Sequence, residues 1–186
     1  MRAGRLDAFG GIAHVEEIPA FMTPQMLQGM DHFWRMRSCL DMQAMSAEQR
    51  AKILPYIREW AESAADFSGA QVFDGYSQFV ATRAATVAAT KAYDFVISPV
   101  SPNMPAPADH ASPTNDPMRP LEHIGFTVPY NMSEQPAASV NCGYSTEGLP
   151  IGLQVAGRRF DDLGVLQFSR AFEQIRGAQK PWPELA

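Results

Sequence analysis

The chain has 186 residues, of which 46% are hydrophobic and 19% are charged, and its formal net charge at pH 7 is −5. This length and balance are typical of one folded domain with its own core and exclude a disordered chain. The charge is acidic and forms no basic stripe, and no apolar run approaches the roughly 18 residues that a membrane span needs. We therefore expect neither a nucleic acid nor a membrane as partner.

Metal and disulfide chemistry find little support in the sequence. Cys39 and Cys142 stand far apart, so they predict neither a disulfide framework nor a zinc site. The histidines have no metal-ligand spacing, and we expect no metal and no cofactor. Because the N-terminus lacks the apolar stretch of a signal peptide, we expect a cytoplasmic location. The four histidines are His14, His32, His110 and His123.

The first part of the chain predicts a helix end, a strand and a helix. Paired glycines in residues 6–11 suit a helix C-terminus, and residues 13–19 predict a short strand. A helix is predicted over residues 24–40, with Thr23 as its N-cap and Pro24 at its first position.

Two further helices are predicted before residue 92. Ser46 and Gln49 form a capping-box pattern, and Pro55 starts a helix rather than interrupting one. Residues 68–70 break this helix, and another follows. The apolar stripes are Ile57, Trp60, Ala64 and Phe67 in the first of the two, and Val72, Tyr76, Phe79, Val80 and Val87 in the second.

An apolar strand and a proline-rich loop come next. Residues 94–100 predict a strand buried on both faces, as parallel or central strands are. Seven of the 15 prolines fall between Pro99 and Pro120, which predicts a long irregular loop, because such a stretch cannot be a helix or a central strand.

The last third of the chain predicts a hairpin and a helix. Residues 137–144 and 149–156 predict antiparallel strands joined by a turn at residues 145–148. Asp161 or Asp162 caps a final helix. Its apolar stripe is Val165, Phe168, Phe172 and Ile175.

Three sequence pieces carry a family resemblance. They are the strand Tyr-Asp-Phe-Val-Ile-Ser-Pro at residues 93–99, Asn-x4-Pro-Ala-x-Ser at 131–139, and Gly-Leu-Pro-Ile-Gly-Leu-Gln at 148–154. In this order and spacing they resemble the C-terminal part of amidase-signature hydrolases. The chain departs from the family pattern at Glu134, where Gly is common, and at Asn141, where Pro is common. Both departures leave the substrate class open.

The resemblance implies an α/β protein, the C-terminal portion of an α/β/α layered fold with a mixed sheet. Residues 1–186 would be part of a single amidase domain, with a helical cover at 20–92 and the strand, proline-rich loop, hairpin and final helix at 93–186. The family hydrolyses carboxylic amides with a nucleophilic Ser, a Ser in a cis peptide and a Lys. These lie upstream of the matched pieces, so no catalytic residue is assigned and the chain alone is expected to be inactive.

The candidate site residues are Phe126, Thr127, Tyr130 and Asn131, which come just before a turn fixed by Pro136. The resemblance implies that they line a pocket for a small-molecule amide substrate when the N-terminal part is present. The structural alternative is that Asn131 only pins the turn and Phe126 only fills the core. Gln154, on a glycine-bounded strand, is interpreted as a hydrogen-bonded core amide.

Other functional interpretations remain open from the sequence. One is the glutaminase subunit of a tRNA-dependent amidotransferase, and another is a non-catalytic truncated binding module. Lys91 and Ser98 are of the types found in Ser-Lys nucleophiles, but no glycine-rich oxyanion turn stands beside either. The expected partners are a second copy of the chain or the missing N-terminal part.

Overall fold

The computed structural model describes residues 13–181, and the helix end predicted at residues 6–11 lies outside this range. The described chain contains helices, three strands and a short 3₁₀ helix. In chain order these are α1 (Pro24–Gln43), α2 (Ala47–Ala51), α3 (Pro55–Glu62), α4 (Gly69–Thr90), β1 (Phe95–Pro99), the 3₁₀ helix Glu122–Ile124, α5 (Val128–Ser133), β2 (Ala137–Tyr144), β3 (Pro150–Gly157) and α6 (Asp162–Ile175).

Local capping chemistry sets the helix starts. The Thr23 hydroxyl accepts a hydrogen bond from the Met26 amide, and Pro24 opens α1 as predicted. A capping box joins Ser46 and Gln49 at α2, and Pro55 opens α3. These predictions are confirmed, although α1 continues to Gln43, beyond its predicted end.

The strand predicted at residues 13–19 is wrong. This segment joins no strand ladder of the described residues and has no regular secondary structure. Ala13 and Val15 nevertheless pack against the core of the sheet. The alternation of apolar and polar residues therefore predicts which side chains pack inward. It does not predict whether the segment forms hydrogen bonds with a neighbouring strand.

The described sheet has the strand order β1-β3-β2, and both pairings are antiparallel. The predicted hairpin of β2 and β3 is confirmed, and its turn is closed by a hydrogen bond from the Gly148 amide to the Ser145 carbonyl. Helices and sheet together confirm the α/β class. No parallel strand pair of the implied mixed sheet lies within residues 13–181.

The strand β1 occupies an edge of the described sheet, so the prediction of a strand buried on both faces is wrong for this part of the chain. All five of its residues are only half-buried, whereas β3, in the centre, is buried from Leu153 to Gly157. An apolar strand sequence does not reveal how many neighbours the strand has, because neighbours come from distant parts of the chain.

One face of the sheet packs against α6 and forms the core. Val165 and Phe172 of α6 are buried against Leu153 and Val155 of β3. Burial of side chains of this size contributes about 1.5–3 kcal/mol each. At the margin of this core, the rings of Phe95 and Phe168 stack with their centroids 4.7 Å apart, and Ile175, at the end of the predicted stripe, is 42% exposed.

The helices α1 and α4 cross closely at a pair of glycines. A Cβ atom on Gly75 would lie 2.6 Å from the Gly29 carbonyl oxygen, a separation that real Cβ atoms essentially never show. Aromatic rings surround this crossing, including Phe33 and Phe79, whose centroids are 5.4 Å apart. The absence of side chains at these glycines permits the two backbones to approach.

The proline-rich loop is irregular as predicted, and α1 and α3 hold it. Arg35 of α1 is 4% exposed and donates to the Pro117 carbonyl at 2.8 Å and to the Asp31 carboxylate at 2.7 Å. The Tyr56 hydroxyl of α3 donates to the Asp116 carbonyl at 3.0 Å. The helical layer thereby fixes the loop that leads to the candidate site residues.

Candidate functional site

The four candidate residues lie around the start of α5. Phe126 is 37% exposed and Asn131 is exposed, while Thr127 is half-buried and Tyr130 is only 4% exposed. The turn predicted before Pro136 follows the short helix α5, which ends at Ser133 with Glu134 as its C-cap. The structure brings all four residues together in one short segment, but it turns Tyr130 inward.

The backbone of Phe126 is fixed to the sheet by one amide side chain. Gln154 of β3 donates from Nε2 to the Phe126 carbonyl at 2.8 Å and to the Ser98 hydroxyl of β1 at 2.9 Å. Gln154 is 4% exposed, so both hydrogen bonds are shielded from water. The predicted hydrogen-bonded core amide is confirmed, but its link to Phe126 was missed because the two residues are far apart in sequence.

The register places a row of polar side chains across the sheet. Ser98 pairs with Gln154, which pairs with Ser139 on the other side. Because side chains alternate along a strand, this row lies on the face opposite Leu153 and Val155. The segment that begins at Phe126 is thus attached to the polar face of the sheet and not to the core packed on α6.

Tyr130 and Thr127 have distinct roles in this segment. Burial raises the pKa of the Tyr130 phenol to about 12, so the hydroxyl is uncharged at neutral pH. The Thr127 hydroxyl donates to the Ile124 carbonyl at 3.2 Å, which ties α5 to the preceding 3₁₀ helix. Thr127 thereby orients the segment, and Tyr130 anchors it.

The two departures from the family pattern have structural explanations. Glu134 adopts a left-handed conformation with φ 60° and ψ 30°, and its carboxylate forms ion pairs with Arg83 and Arg159. Asn141 stands at a β-bulge, where its side-chain oxygen accepts from the Gly143 amide at 2.9 Å. Both positions lie where the backbone departs from regular helix or strand geometry.

Gln135 joins three elements next to the site and was missed by sequence reasoning. It donates from Nε2 to the Gly157 carbonyl at 2.7 Å and accepts from the Ser133 hydroxyl at 2.8 Å. Its Nε2 also lies 3.3 Å from the Thr90 hydroxyl at the end of α4. The sequence around Gln135, directly before Pro136, contains no pattern that predicts these hydrogen-bond partners.

Ser98 and Lys91 do not form a nucleophile pair in the described geometry. The Ser98 hydroxyl donates to the Pro99 carbonyl at 3.0 Å and accepts from Gln154. Lys91 is exposed at the C-cap of α4. Within residues 13–181 no group of three or more His, Cys, Asp or Glu side chains is placed to hold a metal ion. None of the described helices combines the length and apolarity of a membrane span.

A cavity of about 670 Å³ lies between residues 13–18 and β1. None of Phe126, Thr127, Tyr130 and Asn131 lines it. Its walls include Val15, Phe95, Ile97 and Phe168.

Curated relatives match about half of the chain in sequence. The A subunit of the glutamyl-tRNA(Gln) amidotransferase of Thermodesulfovibrio yellowstonii is 38% identical over 96 residues, which are 51% of this chain and 19% of that protein. The corresponding A subunit of Listeria innocua is 40% identical over 95 residues, with the same two shares. The chain therefore matches about a fifth of the length of these relatives.

Solved structures match nearly the whole chain in fold. A bacterial aryl acylamidase of the amidase-signature family gives a TM-score of 0.73 at 24% identity, over 91% of this chain and 38% of that one. The structure of the 6-aminohexanoate cyclic dimer hydrolase complexed with substrate gives a TM-score of 0.74 at 19% identity, over 96% of this chain and 40% of that one. The glutamyl-tRNA(Gln) amidotransferase A subunit of Thermotoga maritima gives 0.55 at 24% identity, over 81% and 33%.

A family model described as Amidase matches residues 30–166, which include most of the helical layer, the proline-rich loop and the whole described sheet. The three sequence pieces all lie within this range. The matching fold of amidase-signature enzymes agrees with it. The chain belongs to the amidase family, the amidase-signature hydrolases of carbon–nitrogen bonds.

Proposed function

We propose that this chain forms one wall of the substrate pocket in an enzyme that hydrolyses the C–N bond of a carboxylic amide to an acid and ammonia or an amine. The observation that carries the proposal is the pair of hydrogen bonds from Gln154 to the Phe126 carbonyl and to Ser98. Through Gln154 they fix the backbone of Phe126, which carries a partly exposed aromatic ring, to the polar face of the sheet.

The side chains at this wall suit a small amide substrate. The 37% exposed ring of Phe126 offers apolar contact, and the exposed amide of Asn131 offers both a donor and an acceptor. Thr127 and Tyr130 hold the segment in place. No catalytic residue is assigned to this chain; the Ser, cis-Ser and Lys of the family would come from the remaining part of the enzyme.

The domain proposal follows from the same reasoning. Residues 1–186 are part of one amidase domain, in which 20–92 cover the sheet and 93–186 supply strands and the pocket wall. The partners are an amide substrate and the part of the domain that carries the catalytic residues. A cytoplasmic location stays a prediction.

A second candidate is the glutaminase subunit of a tRNA-dependent amidotransferase, in which the amide would be glutamine. The names of the curated relatives favour it, at 38–40% identity over half of the chain. The acylamidase and the cyclic dimer hydrolase share the fold with more than nine tenths of the chain, at 24% and 19% identity, which bears on fold and not on substrate. We place the small-molecule amidase first because the partly exposed ring of Phe126 offers apolar contact to an aryl or alkyl amide.

The test uses a chimera in which residues 13–181 replace the matching part of the aryl acylamidase. If Phe126 lines the pocket, Phe126→Ala changes the ratio of kcat/KM between aryl and alkyl amides by about tenfold and changes Tm little. Phe73→Ala, at an exposed phenylalanine of α4, is the matched control and leaves the ratio unchanged.

Three outcomes would contradict the proposal. Equal losses for every substrate in Phe126→Ala, accompanied by a lower Tm, would show that the ring only fills the core. A folded chimera that turns over glutamine but no aryl or alkyl amide would favour the glutaminase subunit. A folded chimera with no turnover at all would favour a non-catalytic binding module.

A further inference from the structure

The segment that carries the candidate residues is attached to β3 at both of its ends. At its start, Gln154 donates to the Phe126 carbonyl at 2.8 Å. At its end, Gln135 donates from Nε2 to the Gly157 carbonyl at 2.7 Å. The two attachment points are three residues apart on β3, which corresponds to about 10 Å. Because a single attachment point would leave the segment free to swivel, the two together fix its direction as well as its position.

The side chain of Gln135 joins a buried hydrogen-bond network. Besides the Gly157 carbonyl, its Nε2 reaches the Thr90 hydroxyl at 3.3 Å, and that hydroxyl donates in turn to the Thr86 carbonyl at 2.9 Å. Its Oε1 accepts from the Ser133 hydroxyl at 2.8 Å. Thr90 is 4% exposed and Ser133 is fully buried. A side-chain amide, with two donors and an acceptor on one planar group, satisfies all three partners at once.

The helix α5 depends on such contacts for its position. A helix of six residues is too short to be stable in water by itself. At its C-terminal end, Glu134 also forms ion pairs with Arg83 on α4 and with Arg159 after β3. These ion pairs are partly exposed and contribute little. The buried partners of Gln135 therefore make its side chain the main attachment at this end.

We propose that Gln135 is a positioning residue for the substrate pocket, a role that rests on the function proposed above. Together with Gln154 it holds residues 126–135 along β3. It thereby fixes where the ring of Phe126 and the amide of Asn131 meet an amide substrate. Gln135 itself does not touch the substrate, so its loss weakens substrate binding without removing a reacting group.

The first test measures the attachment itself, by hydrogen exchange of the full chain with detection by mass spectrometry. Gln135→Met keeps the approximate size of the side chain but removes its amide. We expect the backbone amides of residues 126–133 to exchange about tenfold faster, because the lost hydrogen bonds make local opening easier. The matched control is Gln167→Met, at an exposed glutamine of α6, which should leave this exchange unchanged.

The second test measures substrate binding in the acylamidase chimera. Gln135→Met is expected to raise KM for aryl amides about fivefold and to leave kcat nearly unchanged, because the pocket wall binds substrate and does not react. Val165→Ala, in the core on the opposite face of the sheet, is the control for lost stability. It should lower Tm and leave KM unchanged.

The two tests separate the role of Gln135 from the proposed function. Unchanged exchange of residues 126–133 in Gln135→Met would overturn the positioning role, whatever the chimera does. Faster exchange with an unchanged KM, or an equal rise of KM in Val165→Ala, would also overturn it, because the role would then be structural only. A folded chimera without turnover would overturn the proposed function and the pocket role with it, while the exchange rates would still decide whether Gln135 holds the segment.

A milder variant serves if Gln135→Met does not fold. Ser133→Ala removes only the hydrogen bond to Oε1 of Gln135. It is expected to change both the exchange rate and KM in the same direction by a smaller factor. If Ser133→Ala then leaves both quantities unchanged, the positioning role is overturned.

Discussion

Glu134 shows how a single residue balances backbone strain against ion pairs. Its left-handed conformation costs a non-glycine residue about 1 kcal/mol, and its contacts with Arg83 and Arg159 offset this cost in part. Both ion pairs are partly exposed, so each contributes little. Arg83 lies on α4 and Arg159 follows β3, so these ion pairs link the end of α5 to both elements.

Replacing Glu134 separates the two effects. Glu134→Ala and Glu134→Gly both remove the ion pairs, but only the glycine variant relieves the left-handed backbone. We expect Glu134→Gly to be about 1 kcal/mol more stable than Glu134→Ala in denaturant unfolding. Equal stability of the two variants would show that the backbone is not strained there.

Tyr130 predicts a defined response to alkaline pH. Its pKa is raised from 10.0 to about 12 by burial, so between these values the folded state keeps a proton that the unfolded state loses. Stability is unaffected below pH 10 and falls as pH rises towards 12, by about 2–3 kcal/mol in total. The Tyr130→Phe variant should not show this contribution to the loss of stability at alkaline pH. The free energies of unfolding of the wild-type chain and of Tyr130→Phe, measured at pH 8 and pH 11, check this prediction. An equal decrease between the two pH values in both proteins would contradict it.

At the scale of elements, the α1–α4 crossing depends on the absence of a side chain at Gly75. A methyl group there meets the Gly29 carbonyl oxygen at 2.6 Å, and the helices must move apart. We expect Gly75→Ala to destabilise the fold by about 1–3 kcal/mol. Gly69→Ala is the matched control on the same helix, because nothing lies within 4 Å of its added Cβ.

The two alanine variants should differ in sign. Gly69→Ala is expected to be neutral or stabilising by about 0.5 kcal/mol, since alanine restricts the unfolded chain. Thermal unfolding of both variants checks the prediction. If Gly75→Ala were as stable as Gly69→Ala, the helices would not approach as closely as described.

Elements were predictable from the sequence where their signals are local. Thr23, Ser46 and Pro55 mark helix starts within a few residues of themselves, and the structure confirms them. The edge position of β1 was not predictable, because it depends on which distant strands pair with it. The hydrogen bond from Gln154 to Phe126 was missed for the same reason, since it joins residues on separate elements.

At the scale of the whole molecule, α4 carries an apolar stripe that the described residues do not cover. It consists of Phe73, Tyr76, Val80 and Val87, which are 44–73% exposed and recur at helical spacing. We expect the chain to associate with itself through this stripe. Sedimentation over a concentration series should show association that Val80→Glu weakens. Glu17→Lys, an exposed position outside α4, is the control and should leave the association unchanged. A monomer at every concentration would contradict this.

The central claim is that this chain supplies a pocket wall of an amide hydrolase and not its catalytic groups. The most direct measurement is hydrolysis of a panel of aryl amides, alkyl amides and glutamine by the purified chain, beside the acylamidase chimera under the same conditions. We expect turnover by the chimera and none by the chain alone. Turnover by the chain alone that is lost in Ser98→Ala or Lys91→Ala would contradict the claim and place an active site within these residues.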